Sequence, residues 1–542
     1  MNSRKSGKYA IPKEILALKP KGKEIKAIGG HYYVYDVKHV KVPDAQGAGT
    51  KWKTKSGKCI GKIEPGIGFV SNSGPDEKIT VVEFSQYHLP LTVTSGVLDS
   101  LKMSFDPMEG TEIYLLALMD YVNGYTYIRD FQDTFEQSYL SLEYPGISMT
   151  DEHISDLLDG LGRRTGKADG FIQGLIDSSK RIAVDGHVIQ SESECNSLAD
   201  FGNKYCKLSS PQMNLLCAYD IDSGSPVYAD IFEGGLVDSK SVEDMLSRYA
   251  FRNKLFVVDS GFYSKDNLSK FTENGCHYII PLRQNFTECQ EMTSDLEFQG
   301  DFIYKTSSKT GTEIKYKAKK DGGHVTILFR DESENLNDRV AYRSLLDAGT
   351  DGYTKEEFEA KKDLFGVIVI RSDMKDRTAE EIYDDYKKRW GIETYYNHLK
   401  NYQGFKSLHQ CSYYILRGLS FISLIEGMIH SELCARKKET KLKALSEKEL
   451  LVRLAFAKAK KEGGAWMVCN AKKKVQEAYS AFSLTMPSSI IEVPYGKEDK
   501  KDKLSTQYFG RMCLNKQAML MEWMVLPSRK VCYKPRLQDD IP

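Results

Sequence analysis

The chain has 542 residues, 41% of them apolar and 28% charged, with a formal net charge of +1. That length allows three or four domains with sizeable cores, while the overall charge decides nothing about nucleic acid. Eleven cysteines without a C-x2-C pair exclude a small disulfide-stapled frame and suit a reducing cytoplasm.

Residues 1–70 read as a basic, strand-prone amino-terminal region. Residues 1–63 hold fifteen Lys or Arg, from Arg4 through Lys62, against Glu14, Glu24, Asp36 and Asp44. Aromatics are interleaved as Tyr32-Tyr33-Val34-Tyr35 and Lys51-Trp52-Lys53. Cations and aromatics on extended backbone suit contact with DNA, although a basic tail also serves solubility alone. The polar start MNSRKSGKYAIPKE shows no signal peptide, so a cytoplasmic location is expected.

Residues 71–180 read as mainly helical. Ile113 to Tyr121 is one apolar helix, and Ile154, Leu157, Leu158 and Leu161 form a stripe after Thr150 that Gly162 ends. Two such helices fit a helix-turn-helix that reads DNA ends about as well as a generic helical linker.

Residues 181–283 switch to a strand-rich pattern. A first strand covers about 181–190 and contains Asp185 after Ile182-Ala183-Val184. Asn214 to Tyr219 then turns at Asp222-Ser223-Gly224 into Pro226 to Phe232, which predicts a hairpin. A helix follows, with Val242, Met245, Leu246 and Tyr249 on one face. Lys254 to Val258 is a buried strand closed by Asp259, and a helix from Ser264 to Asn274, stopped at Gly275, leads into His277 to Leu282. A carboxylate at the end of such a strand stands at the rim of a sheet, where open α/β folds place their chemistry. Most aspartates before glycine are simple turns, so each alone is weak.

Residues 284–365 carry three alternating or apolar runs, Asp301 to Tyr304, Glu313 to Lys317 and His324 to Phe329, which predict a small antiparallel β insertion. The core resumes over 366–405 with Gly366 to Ile370. Thr378 and Glu381 then form a capping box that starts a helix. On that helix Tyr386, Arg389, Glu393 and Lys400 follow at steps of three, four and seven, which places all four within a stripe of roughly 60°. A solvated face with one Arg/Glu pair would look the same locally. Phe365 and Trp390 are aromatic enough to stack on a base, but an ordinary place in the core is the expected role of each.

Residues 406–542 read as helical, with Arg436 to Lys443 basic and Leu450 to Lys461 mixed apolar and basic. The most apolar stretch, Ile415 to Cys434, contains Arg417, Glu426 and His430, so it is expected to be a buried core helix and no membrane span.

The order hairpin meander, then β-α-β, resembles that of the RNase H-like fold. With Asp185 in AVDGH, Asp259 in VVDSGFYS and a complete Tyr-x2-Arg-x3-Glu-x6-Lys motif, residues 181–405 resemble bacterial insertion-sequence transposases of the DDE class. The resemblance implies a multidomain α/β protein with an RNase H-like mixed-sheet core, interrupted by a β-rich insertion that helps hold the DNA end. It implies Asp185, Asp259 and Glu393 as catalytic and metal-binding residues, with Tyr386, Arg389 and Lys400 holding DNA without reading its sequence. Phosphodiester chemistry needs charge neutralisation and in-line positioning, which two Mg²⁺ ions on hard oxygen ligands supply, Mn²⁺ being able to substitute. Asp185 would bridge both ions, with Asp259 and Glu393 completing one site each. The expected partners are double-stranded DNA, as terminal inverted repeats and as target, and a second copy of the chain on paired ends. Subunit contacts are expected of the carboxy-terminal region. The residues do not decide between a hairpin and another cleavage route.

Three other readings compete. Asp220-Ile221-Asp222 resembles the D-x-D of haloacid-dehalogenase-type phosphatases, but Gly224 stands where Thr or Val is expected. A domesticated, catalytically inactive DNA-binding descendant is countered by intact carboxylates at all three places. A junction resolvase would be smaller and lack the insertion.

Overall fold

The Arg181–Ser191 strand is the axis around which the largest sheet is built. The computed structural model describes residues 11–43, 50–65, 68–71, 79–124, 126–164, 166–191, 193, 195–200, 211–236, 238–305, 310–402, 407–408, 412–463 and 465–490, without the side chains of 38–43, 50–53, 71, 238–239, 400–402 and 407–408. On one side of the axial strand lie, antiparallel, Gln212–Asp220 and then Ser225–Glu233. On the other side lie, parallel, Leu255–Val258 and then His277–Pro281. The hairpin between Gln212–Asp220 and Ser225–Glu233 turns at Gly224, whose φ of +69° favours glycine. Helix Asp238–Arg248 buries Val242 and Met245, and Ser264 caps helix Lys265–Phe271 by accepting from the Asn267 N–H.

The segment read as an antiparallel insertion adds its strands to this same sheet. Beyond His277–Pro281 come, all antiparallel, Val367–Ser372, His324–Asp331, Gly311–Asp321 and Gly300–Lys305. Helices Thr287–Thr293, Glu332–Asp347 and Lys355–Lys361 lie between these strands in sequence. Ser407–Leu408 pairs with the axial strand at Gln190 and Ser191, which brings the sheet to ten strands.

The 26-residue helix Tyr413–Lys438 lies on the Ser225–Glu233 side and is buried along most of its length. It crosses helix Asp151–Gly162 at very short range. A methyl group at Gly162 would stand 1.7 Å from the Tyr414 carbonyl oxygen, and one at Gly418 would stand 2.1 Å from that of Leu158. Each helix therefore presents bare backbone to the other. Inside this region Arg417 grips Asp230 through Nε–Oδ1 at 2.9 Å and Nη2–Oδ2 at 2.5 Å. Helix Asp151–Gly162 is capped by Thr150 and buries Ile154, Leu158 and Leu161.

Two smaller sheets flank the large one in sequence. Residues 24–71 form a four-stranded antiparallel sheet, Glu24–Ile28, His31–Pro43, Thr50–Glu64 and Gly68–Ser71. Ile25, Val34 and Ile63 share a small core there with Ile15 of the short helix Lys13–Ala17. The second small sheet joins distant parts of the chain: Val81–Glu83 pairs with Lys458–Glu462, which pairs with Ala465–Cys469 and that with Ser489–Ile490. The region read as helical beyond residue 406 thus also holds short strands. One continuous apolar core runs from Val82 through Tyr114, Ile182 and Phe421 to Trp466. No helix among the described residues is long and apolar enough to cross a membrane.

Candidate active site

Two aspartates emerge at the same level of the sheet because of strand register. Arg181–Val184 pairs in parallel with Leu255–Val258, and the last pair is Val184 with Val258. Asp185 and Asp259 are the next residues on these neighbouring strands, whose backbones run about 4.8 Å apart. Ile182, Ala183, Val184, Phe256, Val257 and Val258 are fully buried, so the apolar runs anchor both strands; Asp259 follows the last residue of its strand, whereas Asp185 lies within Arg181–Ser191, where the parallel pairing stops. Each carboxylate accepts a hydrogen bond from the following backbone N–H, Gly186 to Asp185 at 2.8 Å and Ser260 to Asp259 at 2.7 Å.

The third carboxylate arrives on a helix that differs from the expected one. Thr378 and Glu381 do form the capping box, with the Glu381 N–H donating to Thr378 Oγ1 and the Thr378 N–H to Glu381 Oε2. The helix that follows ends at Lys388, and a second one covers Gly391–Tyr402. Four N–H groups at the junction bond three residues back: Arg389 to Tyr386, Trp390 to Lys387, Ile392 to Arg389 and Glu393 to Trp390. This is the tighter 3₁₀ spacing, so the four motif residues do not share one continuous α-helical stripe. Gly391 fits here because its backbone packs on the Tyr219 ring, where a methyl group would stand only 2.9 Å away.

The break still turns Arg389 and Glu393 toward the strand ends. Arg389 Nη1 lies 3.6 Å from Asp185 Oδ2 and 3.9 Å from Glu393 Oε1. Its guanidinium carbon is 5.8 Å from the Tyr386 ring centroid. The Asp185 carboxyl is pushed up to about 6, chiefly by burial; Arg389 opposes the shift, and the charges of Glu393 and Asp259 add to it. Burial also raises the Tyr386 hydroxyl, again with Arg389 opposing and Asp259 and Asp185 reinforcing. Asp185, Asp259, Glu393, Arg389 and Tyr386 thus share one electrostatic neighbourhood. Lys400 lies on the Glu393 helix, and its side chain is outside the described residues.

The carboxylates are not drawn as tight as metal ligands. Among the described residues, the one set of three potential ligands with all donor atoms within 4.8 Å is His398, His430 and Glu447. Between Asp185 and Glu393 stands the Arg389 guanidinium. Three carboxylates offer hard oxygen donors, and like charges there disfavour the Asp185 anion, so the donor set suits a hard divalent cation.

Several neighbours were not legible in the sequence. The Tyr396 hydroxyl donates to the Asp185 backbone carbonyl at 2.6 Å, and the His187 ring lies 5.1 Å from that of Tyr396. A tyrosine three residues after Glu393 gave no local sign of this role. Trp390, expected in the core, is 67% exposed beside Arg389, because the helix break turns it outward. Phe365 packs with Tyr342 and Phe358 at ring distances of 5.8 and 5.9 Å. The Asp220–Asp222 pair serves the hairpin instead. Asp220 accepts from the Asp222 and Ser223 N–H groups, each at 3.2 Å, and Asp222 pairs with Arg181.

Residues 177–413 match a family model described as a transposase DDE domain. No curated protein matches the chain in sequence. Among solved structures, it is similar to a chain of a piggyBac transposase synaptic complex with hairpin DNA, at 13% identity and a TM-score of 0.37, over 68% of this chain and 79% of that one. The matched segment runs through Asp185, Asp259 and the whole Tyr386-to-Lys400 motif, so it is residues 177–413 of this chain that are similar to a transposase DDE domain.

Proposed function

We propose that the protein is the DNA transposase of an insertion sequence, binding terminal inverted repeats and catalysing metal-dependent strand cleavage and strand transfer of the cut-and-paste type. The observation that carries this reading is the register placing Asp185 and Asp259 side by side, with Glu393 reached through Arg389. The hairpin and the two parallel strands beside the axial strand support the reading of a meander followed by β-α-β, as in an RNase H-like core.

Asp185, Asp259 and Glu393 would hold the divalent ions, Mg²⁺ by preference for hard oxygen and Mn²⁺ in its place. Two such ions, when bound, supply charge neutralisation and orient the attacking and leaving oxygens of an in-line displacement. The residues do the rest. Asp185 and Asp259 are fixed by their strands and by the Gly186 and Ser260 N–H groups. Arg389, released from Asp185 and Glu393, would turn to a backbone phosphate; Lys400, on the Glu393 helix, would take another, and Tyr386 the sugar or backbone. Water would break the P–O3′ bond at the element end, leaving a 3′-OH that attacks the next phosphodiester. Paired ends call for two copies of the chain, one per end, working on DNA in the cytoplasm.

Duplex oligonucleotides bearing the flanking terminal repeats test this, with and without Mg²⁺. Nicking that needs Mg²⁺ and disappears in Asp185→Asn supports it. Binding without cleavage in the intact chain would instead identify an inactive DNA-binding descendant.

A further inference from the structure

The helix that brings Glu393 to the acidic cluster carries His398 on a different face, buried and only 5% exposed. The His398 ring stacks on that of His430, from the long helix Tyr413–Lys438, with centroids 3.8 Å apart and an interplanar angle of 25°. Glu447, the first residue of helix Glu447–Leu454, closes on both. Its Oε2 lies 2.7 Å from His430 Nδ1 and 3.7 Å from His398 Nδ1, while Oε1 is 2.9 Å from His430 Nδ1. One donor atom from each residue lies within 4.8 Å of the other two. Cys434, one turn beyond His430, holds its Sγ 3.8 Å from His430 Nδ1. The Tyr121 ring walls the cluster, 5.7 Å from His398 and 6.4 Å from His430.

Burial holds both imidazoles neutral: His430 is pushed down to about 4, with Lys437 and Lys438 adding to burial, and His398 to about 2, with His430 adding. It pushes the Glu447 carboxyl up to about 8. Imidazole nitrogen and carboxylate oxygen are both metal-ligating atoms, and here one from each residue faces the same small space. Two imidazoles, a carboxylate and a nearby thiol match a borderline ion, whereas Mg²⁺ prefers an all-oxygen set.

We propose that His398, His430 and Glu447 form a structural site for a divalent cation of the Zn²⁺ type, with Cys434 the nearest further donor. The site fastens the Glu393 helix to the two helices that follow it in the chain. It is separate from the acidic cluster in position and ligand chemistry, and it does not depend on the transposase reading.

The test uses the full chain, stripped by chelator and titrated with Co²⁺ and Zn²⁺ while excess Mg²⁺ occupies the acidic cluster. The expected result is uptake of about one equivalent with the strong visible absorption of a four-coordinate, nitrogen-ligated Co²⁺, displaced by Zn²⁺ and accompanied by a higher Tm. No uptake, or only the weak absorption of a six-coordinate oxygen-ligated ion, overturns the proposal. The double variant His430→Asn/Glu447→Gln, if folded by circular dichroism, should lose the band, and a folded variant that keeps it overturns the proposal. Should that variant fail to fold, the spectrum of the unaltered chain decides alone.

Discussion

Arg389 and Asp185 face each other across 3.6 Å beside the axial strand of the large sheet, and the same Arg389 Nη1 lies 3.9 Å from Glu393 Oε1. Like-charged carboxylates at a sheet edge need a cation between them, and here the chain's own arginine stands there. On the proposed reading, the same group would move to a phosphate once another cation neutralises the cluster. Arg389→Ala should therefore weaken binding to element ends and lower the slope of log K against log salt by about one. Lys400→Ala should act alike. Binding isotherms at several salt concentrations measure this, and an unchanged slope would limit Arg389 to holding the carboxylates.

Removing a carboxylate should separate chemistry from binding. Asp185→Asn, Asp259→Asn and Glu393→Gln should each lower strand cleavage roughly 100-fold or more, with end binding largely kept. Full activity in any one variant takes that residue out of the site. Mg²⁺ should also raise the Tm of the unaltered protein, since a ligand bound only by the folded state stabilises it, and should raise that of Asp185→Asn less.

Asp230 anchors the long helix to the sheet from a nearly solvent-free position. Arg417 holds it bidentately, with Arg248 at 3.6 Å and Arg164 at 3.9 Å. Asp230→Ala strands the Arg417 and Arg164 guanidinium groups in the core and should cost about 3–5 kcal/mol. Arg417→Ala leaves Asp230 with two cations nearby and should cost less. Denaturant unfolding of the two variants gives the order, and equal losses would contradict the network.

Acid should destabilise the fold partly through His88. Burial pushes its imidazole down from the ordinary 6.5 to about 4, and the Tyr479 hydroxyl lies 3.0 Å from its Nδ1. The unfolded chain takes up this proton first as pH falls. The stability held by neutral His88 is therefore complete above 6.5 and lost on descent toward 4. In His88→Gln the fall in Tm between pH 6.5 and 4.5 should be shallower than in the unaltered chain. Parallel curves would show that His88 titrates alike in both states.

Much of the site could be read locally. The buried runs ending at Asp185 and Asp259, the turn at Gly224 and the Thr378–Glu381 capping box are each specified by a few adjacent residues, and the structure forms them there. The break after Lys388 was hidden because Tyr386, Arg389 and Glu393 keep helical spacing through a 3₁₀ turn. Gly162 could be read as a helix end, but its close approach to Tyr414 depends on a segment some 250 residues away. The pairing of Val81–Glu83 with Lys458–Glu462 and the meeting of His398 with Glu447 are of the same kind.

By itself, the sequence determined which buried runs lead into Asp185 and Asp259, where helices start, and which motif accompanies them, because propensity, capping and apolar period act over a few residues. Only the tertiary structure decided that Val184 pairs with Val258, that Arg389 stands between Asp185 and Glu393, and that two histidines and a glutamate meet behind the Glu393 helix. Those are distances between parts of the chain far apart in sequence, set by sheet register and helix packing, and they leave no periodic trace in any one segment.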